Sequence, residues 1–210
     1  MKLVISGTLL LALVVSAPTK AQQQPVQTGL GECVDFMIYG SSTLTNQVNT
    51  APYTFVYSSS SWIDKDNKVV YVMNYTCSPT NLHGLYGAVG QVSHEMGHAF
   101  FDAPASLAGP KDAFVKRMCT DEGRAVLNNW TARSEILDTS EGTAEIPLIA
   151  SNASQLQAII LAGGEKLDER VGSSFCDNNT NSLTGENYRT FYGRWYDENV
   201  GVQSLYGTEV

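Results

Sequence analysis

Hydrophobic and polar positions alternate in the first part of the chain and then take up helical spacing. Runs rich in Val, Ile, Tyr and Phe, bounded by Gly, Ser, Asn and Pro, predict three strands of a small mixed sheet: Val34 to Tyr39, Tyr53 to Tyr57 and Lys68 to Asn74. Between the last two, the polar segment from Trp62 to Asn67 predicts a turn. The last strand is expected either to lie in the sheet core or to offer an edge beside the next helix. Such an edge would bind an extended peptide by backbone hydrogen bonds.

Apolar residues at helical spacing predict four helices beyond this sheet. The four run from near Leu85 to before Pro104, from Gly109-Pro110 to Ile136, from Ser154 to Leu161 and from Asn187 to Tyr196. The segment from Gly172 to Leu183 is polar and predicts a loop. A sheet followed by helices makes α+β the expected fold class.

The first residues have the pattern of an export signal. Lys2 precedes an apolar run from Leu3 to Val15, and small residues follow as far as Ala21. The run is shorter than the about 20 residues that a transmembrane helix needs, and no later segment approaches that length. We therefore expect a signal peptide over residues 1–21, one mature domain over 22–210, no membrane span, and a secreted or periplasmic location.

Composition adds a negative charge and a cysteine framework to this picture. The 210-residue sequence carries 13 Lys and Arg against 21 Asp and Glu, and the acids are dispersed rather than clustered. Such a chain is not expected to bind nucleic acid. Its four cysteines are an even number, which predicts two disulfides in an exported protein. The expected pairs, each of which would join residues within one half of the chain, are Cys33 with Cys77 and Cys119 with Cys176.

The first predicted helix contains His94-Glu95-Met96-Gly97-His98, which has the form H-E-x-x-H. Residues four apart share a helix face, so both imidazoles can bind one zinc ion, with Glu95 beside it as a general base. A catalytic zinc ion takes three protein ligands and leaves one position for water. Two histidines therefore predict a carboxylate as the third ligand. Asp102, one turn after His98, is a candidate for hydrogen bonding to a ligand.

Three glutamates are candidates for that third ligand. Glu122 lies on the second predicted helix, where the small residues Gly123 and Ala125 would let this helix approach the first closely. Glu141 and Glu145 follow the end of the same helix. The alternative role for each is that of a solvated surface acid.

The H-E-x-x-H sequence, followed by Asp121-Glu122-Gly123-Arg124-Ala125 on a later helix, resembles the zincin metallopeptidases. Within them it is most similar to the gluzincins, in which a glutamate on a later helix is the third zinc ligand. It also looks like the compact metallopeptidase domains of exported bacterial proteins and secreted toxins. The resemblance covers roughly Val69 to Asn129. It implies a zincin-like fold in which sheet edge, active-site helix and ligand helix adjoin, with Glu122 as the third ligand.

The match around Glu122 is partial. The gluzincin form N-E-x-x-S-D has Asp121 in place of its Asn and Val126 in place of its Asp. The segment that ends at Glu145 faintly resembles the aspzincin element G-T-x-D, with Glu in place of Asp. The order of preference for the third ligand is therefore Glu122, then Glu141, then Glu145.

Together these features predict an exported zinc peptidase that cleaves amide bonds in proteins or in the peptide stems of cell-wall polymer, with Glu95 as the base. One alternative is a zincin-derived module that binds metal or a partner without turnover. Another is an exposed helix with no metal. A purely structural site has no need of a base at Glu95. The sequence does not separate the candidate donors to a developing oxyanion, which are Tyr188, Tyr192, Tyr196, Arg189 and His83.

Overall fold

A computed structural model describes residues 25–78, 80–101 and 109–206 of the chain. This part has a mixed α+β architecture that is mostly helical, as the sequence predicts for the fold class. The elements in chain order are α1 (Glu32–Tyr39), α2 (Ser42–Thr50), β1 (Thr54–Ser58), β2 (Trp62–Asp64), β3 (Val69–Met73), α3 (Leu82–Phe100), α4 (Lys111–Thr139), α5 (Ala153–Ala162), α6 (Leu167–Asn178) and α7 (Tyr188–Tyr206).

The sheet is mixed, with strand order β1-β3-β2. β3 runs parallel to β1 and antiparallel to β2, so it is the central strand. Of the two alternatives expected for this strand, a position in the sheet core is confirmed and an edge position is wrong. The edges are β1 and β2, and β2 lies within the segment predicted as a turn. Trp62 pairs across the strands with Tyr71 and stacks on its ring at 4.4 Å, which favours an extended backbone there. The predicted turn is confined to the residues after β2, where the Asn67 backbone N–H donates to Asp64.

The first predicted strand is a helix. Val34 and Ile38, four residues apart, are fully buried, whereas Phe36 between them is 79% exposed. One buried face at a spacing of four residues is the helical pattern, and it outweighs the strand propensity of these residue types. α1 therefore packs on α3 and lies ahead of the sheet in the chain.

α3 connects the sheet to the rest of the molecule. Its residues Val89, Val92 and Met96 belong to the same core cluster as Val70 and Val72 of β3. The helix begins three residues before the predicted start, because the Asn81 side chain accepts from the Gly84 backbone N–H and caps it. Its described part ends at Phe100. Asp102 and Pro104, to which the sequence assigned roles, lie outside the described residues.

The long helix α4 has 29 residues and begins directly after Pro110, as predicted. α6 and α7 pack against α4, and α5 packs against α6. α5 and α7 also occupy predicted positions. The loop predicted from Gly172 onward is wrong over its first part, which belongs to α6. Small residues there permit close packing: a Cβ placed on Gly172 would lie 1.8 Å from the Cys119 carbonyl oxygen. The small residues that indicated a loop are thus the ones that let α6 pack closely against α4.

Both predicted disulfides are present. Cys33 is joined to Cys77, and Cys119 to Cys176. The second bond ties α4 to α6. The predicted signal peptide lies outside the described residues. Among the helices of the described part, none is both long and apolar enough to cross a membrane.

Candidate metal centre

The H-E-x-x-H residues lie in the last turns of α3, on the side that faces α4. His94, Glu95 and His98 are all buried. The two helices come very close at Gly97, where an added Cβ would lie 2.5 Å from the Cα of Ala125. Glu122 lies one turn before Ala125 in α4. The close approach of the helices therefore brings Glu122 against the two histidines. The sequence identified Ala125 correctly as a point of approach, whereas Gly123 faces α6 instead.

Three ligand atoms converge in this contact. Glu122 Oε2 lies 3.5 Å from His94 Nε2 and 3.4 Å from His98 Nε2. A tetrahedral zinc ion with bonds of about 2.0–2.1 Å separates neighbouring ligand atoms by about 3.4 Å. The spacing of the three atoms therefore fits a zinc ion at their centre. His94, His98 and Glu122 form the one group of this kind among the described residues.

The buried oxygen at the centre of the cluster also fits a cation. Glu122 Oε2 is buried and makes no hydrogen bond within the described chain. Leaving such an atom without a partner costs free energy unless a cation compensates it. The other oxygen, Oε1, accepts a short hydrogen bond from the Tyr192 hydroxyl, which holds the carboxylate so that Oε2 faces the histidines.

His98 is oriented by a neighbour of Glu122. Asp121 Oδ2 lies 2.9 Å from His98 Nδ1, so Nδ1 carries the proton and Nε2 is left with its lone pair toward the cluster. His94 Nδ1 has no hydrogen-bond partner in the described chain, and its ring packs against Phe175 of α6 at 5.7 Å. Orientation of the two rings thus has different causes: a carboxylate for His98 and an aromatic contact for His94.

Electrostatics favour positive charge in the cluster. Burial alone would raise the pKa of Glu122, but the positive charge of His98 and the closeness of both imidazoles to the carboxylate outweigh it and hold this pKa well below its ordinary value. Burial likewise disfavours a charged His98, yet Glu122 and Asp121 raise its pKa well above the usual range. A metal ion would take the position that this positive charge occupies, and its binding would release a proton.

Glu95 behaves differently from Glu122. Burial raises its pKa, and the neighbouring histidines only partly oppose the effect. It is not a member of the metal-binding group. A buried carboxyl group with a raised pKa beside a candidate metal position is suited to take up and return a proton.

The cluster forms the floor of a cavity of about 200 Å³. One wall is β2 with the turn that follows it, and the other is the loop between α6 and α7 together with Tyr188 and Tyr192 of α7. The Ser182 hydroxyl of that loop donates to the Ser61 carbonyl at 3.0 Å and joins the two walls at one end. The cavity is therefore a short cleft between an edge strand and a loop.

Two predicted alternatives for the third ligand lie elsewhere. Glu141 is exposed in the turn that ends α4, and Glu145 pairs with Arg133. Of the five candidate oxyanion donors, only Tyr188 and Tyr192 line the cavity. Tyr196 donates to the Gly109 carbonyl, Arg189 pairs with Asp177, and His83 lines a separate cavity beside Tyr75.

The sequence did not identify several residues that line or support the site. Lys65, Trp62 and Asn181 line the cavity, but they lie in short loops or in the strand that was predicted as a turn. Asn128 and Asn129 of α4 donate to the Ser93 carbonyl and hydroxyl, at 2.6 and 2.8 Å. These two bonds fix the helix turn next to His94. Helical spacing places Asn129 on the face of Glu122, which is the one indication that the sequence offers.

No family model, curated protein or solved structure matches this chain. The resemblance to zincins thus rests on the motif itself, and the buried His-His-Glu group is what the fold adds to it.

Proposed function

We propose that this protein is a zinc-dependent peptidase of the zincin type. The observation that carries the proposal is the convergence of three buried ligand atoms, from His94, His98 and Glu122, on the floor of a cleft, with the buried Glu95 beside them. Two imidazoles and one carboxylate are the ligand set of a hydrolytic zinc site with an open fourth position. Zinc is favoured over magnesium or calcium because those ions prefer oxygen ligands.

When bound, a zinc ion supplies a Lewis acid that polarises the scissile carbonyl and makes water a better nucleophile. The protein's own residues do the rest. The Glu95 carboxylate accepts the proton of the attacking water and returns it to the leaving amine, a transfer that its raised pKa assists. Asp121 and Tyr192 hold His98 and Glu122 in position.

Tyr188 is the proposed donor to the developing oxyanion. It lines the cleft, and its hydroxyl makes no hydrogen bond with other described residues, whereas that of Tyr192 is engaged by Glu122. Burial, together with the negative charges of Glu122 and Glu95, raises its pKa well above the usual value and keeps the hydroxyl protonated as a donor.

The substrate is proposed to be an extended peptide that pairs with β2. This strand is one of the two edges of the sheet, and its residues Trp62 and Ile63 line the cleft beside the candidate metal position. An edge strand offers unpaired backbone groups that recognise a peptide main chain without regard to its sequence. Cell-wall peptide stems and unfolded proteins both provide such a backbone.

The test combines zinc content with hydrolysis of a mixture of quenched fluorescent peptides. The zinc-loaded wild type is expected to hold one zinc ion per chain and to cleave peptides. Glu95→Gln should keep the zinc and lose activity about 100-fold or more, because the proton acceptor is gone. Glu122→Ala should lose zinc, whereas Glu141→Ala, a control at an exposed glutamate, should change neither quantity.

Two results would overturn the proposal. The first is a zinc-loaded wild type that cleaves none of the peptides, which would favour the metal-binding module without turnover. The second is undiminished hydrolysis by Glu95→Gln.

A further inference from the structure

Three parts of the fold meet at Ser61, the residue directly before β2. Its carbonyl accepts from the Ser182 hydroxyl of the α6–α7 loop at 3.0 Å. Its own hydroxyl donates to the side-chain carbonyl of Gln91 in α3, and the Met73 backbone N–H at the end of β3 donates to the same oxygen at 2.9 Å. Ser61 and Ser182 line the cleft, whereas Gln91 lines the separate cavity on the other side. This junction is therefore a wall that closes one end of the cleft.

The α6–α7 loop on this side of the wall is held in shape by its own hydrogen bonds. The side-chain carbonyl of Asn181 accepts from the backbone N–H groups of Leu183 and Thr184, at 3.0 and 3.1 Å. The Asn181 backbone N–H donates to the Glu186 carbonyl at 2.8 Å. The Glu186 carboxylate in turn accepts from Arg194 of α7, at 3.0 and 2.6 Å. The loop is therefore a fixed part of the wall.

The wall lies close to the reacting centre. Gln91 precedes Glu95 by four residues in α3, which is about 6 Å along the helix axis. An extended peptide covers this distance in about two residues, at about 3.3 Å for each. The cleft itself has a volume of about 200 Å³, which is below the about 300–1,000 Å³ of pockets that enclose a drug-sized ligand. Only a short piece of peptide therefore fits between Glu95 and the wall.

The wall also ends the free edge of β2. An edge strand pairs with a peptide through the backbone groups that its own sheet leaves free. At Ser61, directly before Trp62, the carbonyl is engaged by Ser182, so the loop takes the place of a peptide there. A peptide that pairs with β2 therefore has to end at the loop.

We infer that the peptidase cleaves within about two residues of one end of a peptide chain, because the wall at Ser61 leaves no room for a longer chain on that side. This inference rests on the proposed function. On the other side of the scissile bond the chain leaves the cleft away from the wall, so its length is not restricted. The same geometry applies to an amino end and to a carboxyl end, and the test distinguishes them.

The test moves the susceptible bond of one short, free-ended peptide away from each chain end. One series adds Gly and Ser residues before the amino end, and the other adds them after the carboxyl end. In one series kcat/KM is expected to fall about tenfold or more once more than about three residues lie beyond the bond, because a chain that meets the wall cannot bring its scissile bond into position. The other series should stay within about twofold of the short peptide. Mass spectrometry of the products locates the cleaved bond, and the restricted series identifies the chain end that faces the wall.

A shortened loop assigns the restriction to the wall. Thr180 and Asn187 pair as an antiparallel bridge, so a two-residue Asn-Gly turn in place of residues 181–186 keeps α6 and α7 connected and removes Ser182. With this variant the loss on extending the peptide should fall below about threefold. Leu183→Ala is the matched control, because this exposed residue follows Ser182 but does not line the cleft, and it should leave the restriction unchanged.

Binding gives a readout that does not depend on turnover. In calorimetry, zinc-loaded Glu95→Gln should bind the short peptide about tenfold more tightly than the extended peptides of the restricted series. Equal cleavage and equal binding throughout both series would overturn the inference while leaving the peptidase activity in place. A restriction that persists in the folded protein with the shortened loop would overturn it as well. Failure to cleave any peptide, with the binding difference retained, would overturn the proposed function alone.

Discussion

Three tyrosines of α7 lie four residues apart on one face, yet their hydroxyls have different surroundings. That of Tyr192 donates to Glu122, and that of Tyr196 donates to the Gly109 carbonyl at 2.8 Å. Tyr188, one turn earlier, directs its hydroxyl to no described partner while lining the cleft. One tyrosine of the helix thus orients Glu122, one binds the carbonyl of Gly109, and one lines the cleft.

Replacing Tyr188 by Phe tests the role of its hydroxyl. Because the ring remains to pack on Phe175, we expect the fold and zinc content to be kept. The kcat should fall about 100-fold with KM little changed, since an oxyanion donor acts only in the transition state. Steady-state kinetics on one cleaved peptide measures both constants.

Tyr196→Phe supplies the comparison, because its hydroxyl lies outside the cleft. It should leave kcat within about twofold of the wild type. A Tyr188→Phe enzyme with wild-type kcat would contradict the role given to this hydroxyl.

At this scale the sequence predicts the histidine pair, because four-residue spacing on a helix is a local property. It also ranks Glu122 first, although it cannot show that Glu145 pairs with Arg133 or that Glu141 is exposed. The positions of Lys65 and Asn181 in the cleft depend on how a strand and a distant loop meet. Nothing in either local sequence carries that information.

The close crossing of α3 and α4 explains why the helix that carries His94 and His98 has a glycine at position 97. Each glycine costs about 1 kcal/mol of helix stability relative to alanine. At Gly97 this cost is offset, because the absence of a Cβ lets Ala125 and Asn128 of α4 pack directly on the α3 backbone. Glu122 reaches the histidines only because the two backbones come this close.

Gly97→Ala is therefore expected to damage both stability and the metal site. The added Cβ would lie 2.5 Å from the Ala125 Cα, and separating two backbones costs about 2–3 kcal/mol or more, beyond the gain in helix propensity. We expect the Tm of the zinc-free protein to fall by about 4–8 °C and zinc affinity to drop. Thermal unfolding and competition with a chelator measure the two effects.

Gly87→Ala in the same helix is the control, since an added Cβ there meets nothing within 4 Å. It should raise the unfolding free energy by up to about 1 kcal/mol. If the two substitutions had the same effect, close approach at Gly97 would not be what sets the helix contact.

The long helices α3 and α4 are predicted well, whereas the short elements α1 and β2 are not, for a physical reason. α3 and α4 each carry several turns of apolar spacing, which only a helix can bury on one side. The eight residues of α1 contain strand-forming types, and only their contact with α3 selects the helix. β2 has three residues and exists because Trp62 pairs with Tyr71. In such segments tertiary contacts override local preference.

A carboxylate of α4 joins the first turn of α2 to the long helix. Glu135, near the end of α4, accepts hydrogen bonds from the Ser41 and Thr43 hydroxyls and from the Thr43 backbone N–H, at 2.6, 2.7 and 2.9 Å. These groups belong to the first turn of α2, where a negative charge is favoured. α2 and the long helix are thereby joined across 92 residues of sequence.

This contact should make stability depend on pH. Burial raises the pKa of Glu135, but the hydrogen bonds from Ser41 and Thr43 outweigh it and leave the pKa below 4.5, its ordinary value. A lowered pKa in the folded state means stabilisation that is complete above about pH 4.5 and lost as the pH falls through the folded value. Glu135→Gln should lower the unfolding free energy by about 1–2 kcal/mol at pH 7 and by less at pH 3.5.

Urea unfolding of the zinc-free proteins at both pH values measures the difference without interference from metal loss. Glu141→Gln, at an exposed carboxylate, should cost little at either pH. A Glu135→Gln penalty that stays constant between the two pH values would show that the charge contributes nothing.

The two disulfides close separate covalent rings, one over residues 33–77 and the other over 119–176. A single proteolytic nick inside either ring leaves both fragments joined, so the nicked chain migrates as one band until it is reduced. The stretch from 78 to 118, which carries both histidines, belongs to neither ring. A nick there divides the molecule into two pieces that only non-covalent contacts hold together. When the nick falls after His98, the two histidines lie on one piece and Glu122 on the other. The covalent framework thus holds the surroundings of the site together and leaves the stretch between His98 and Cys119 as the segment whose cleavage would take the ligand set apart.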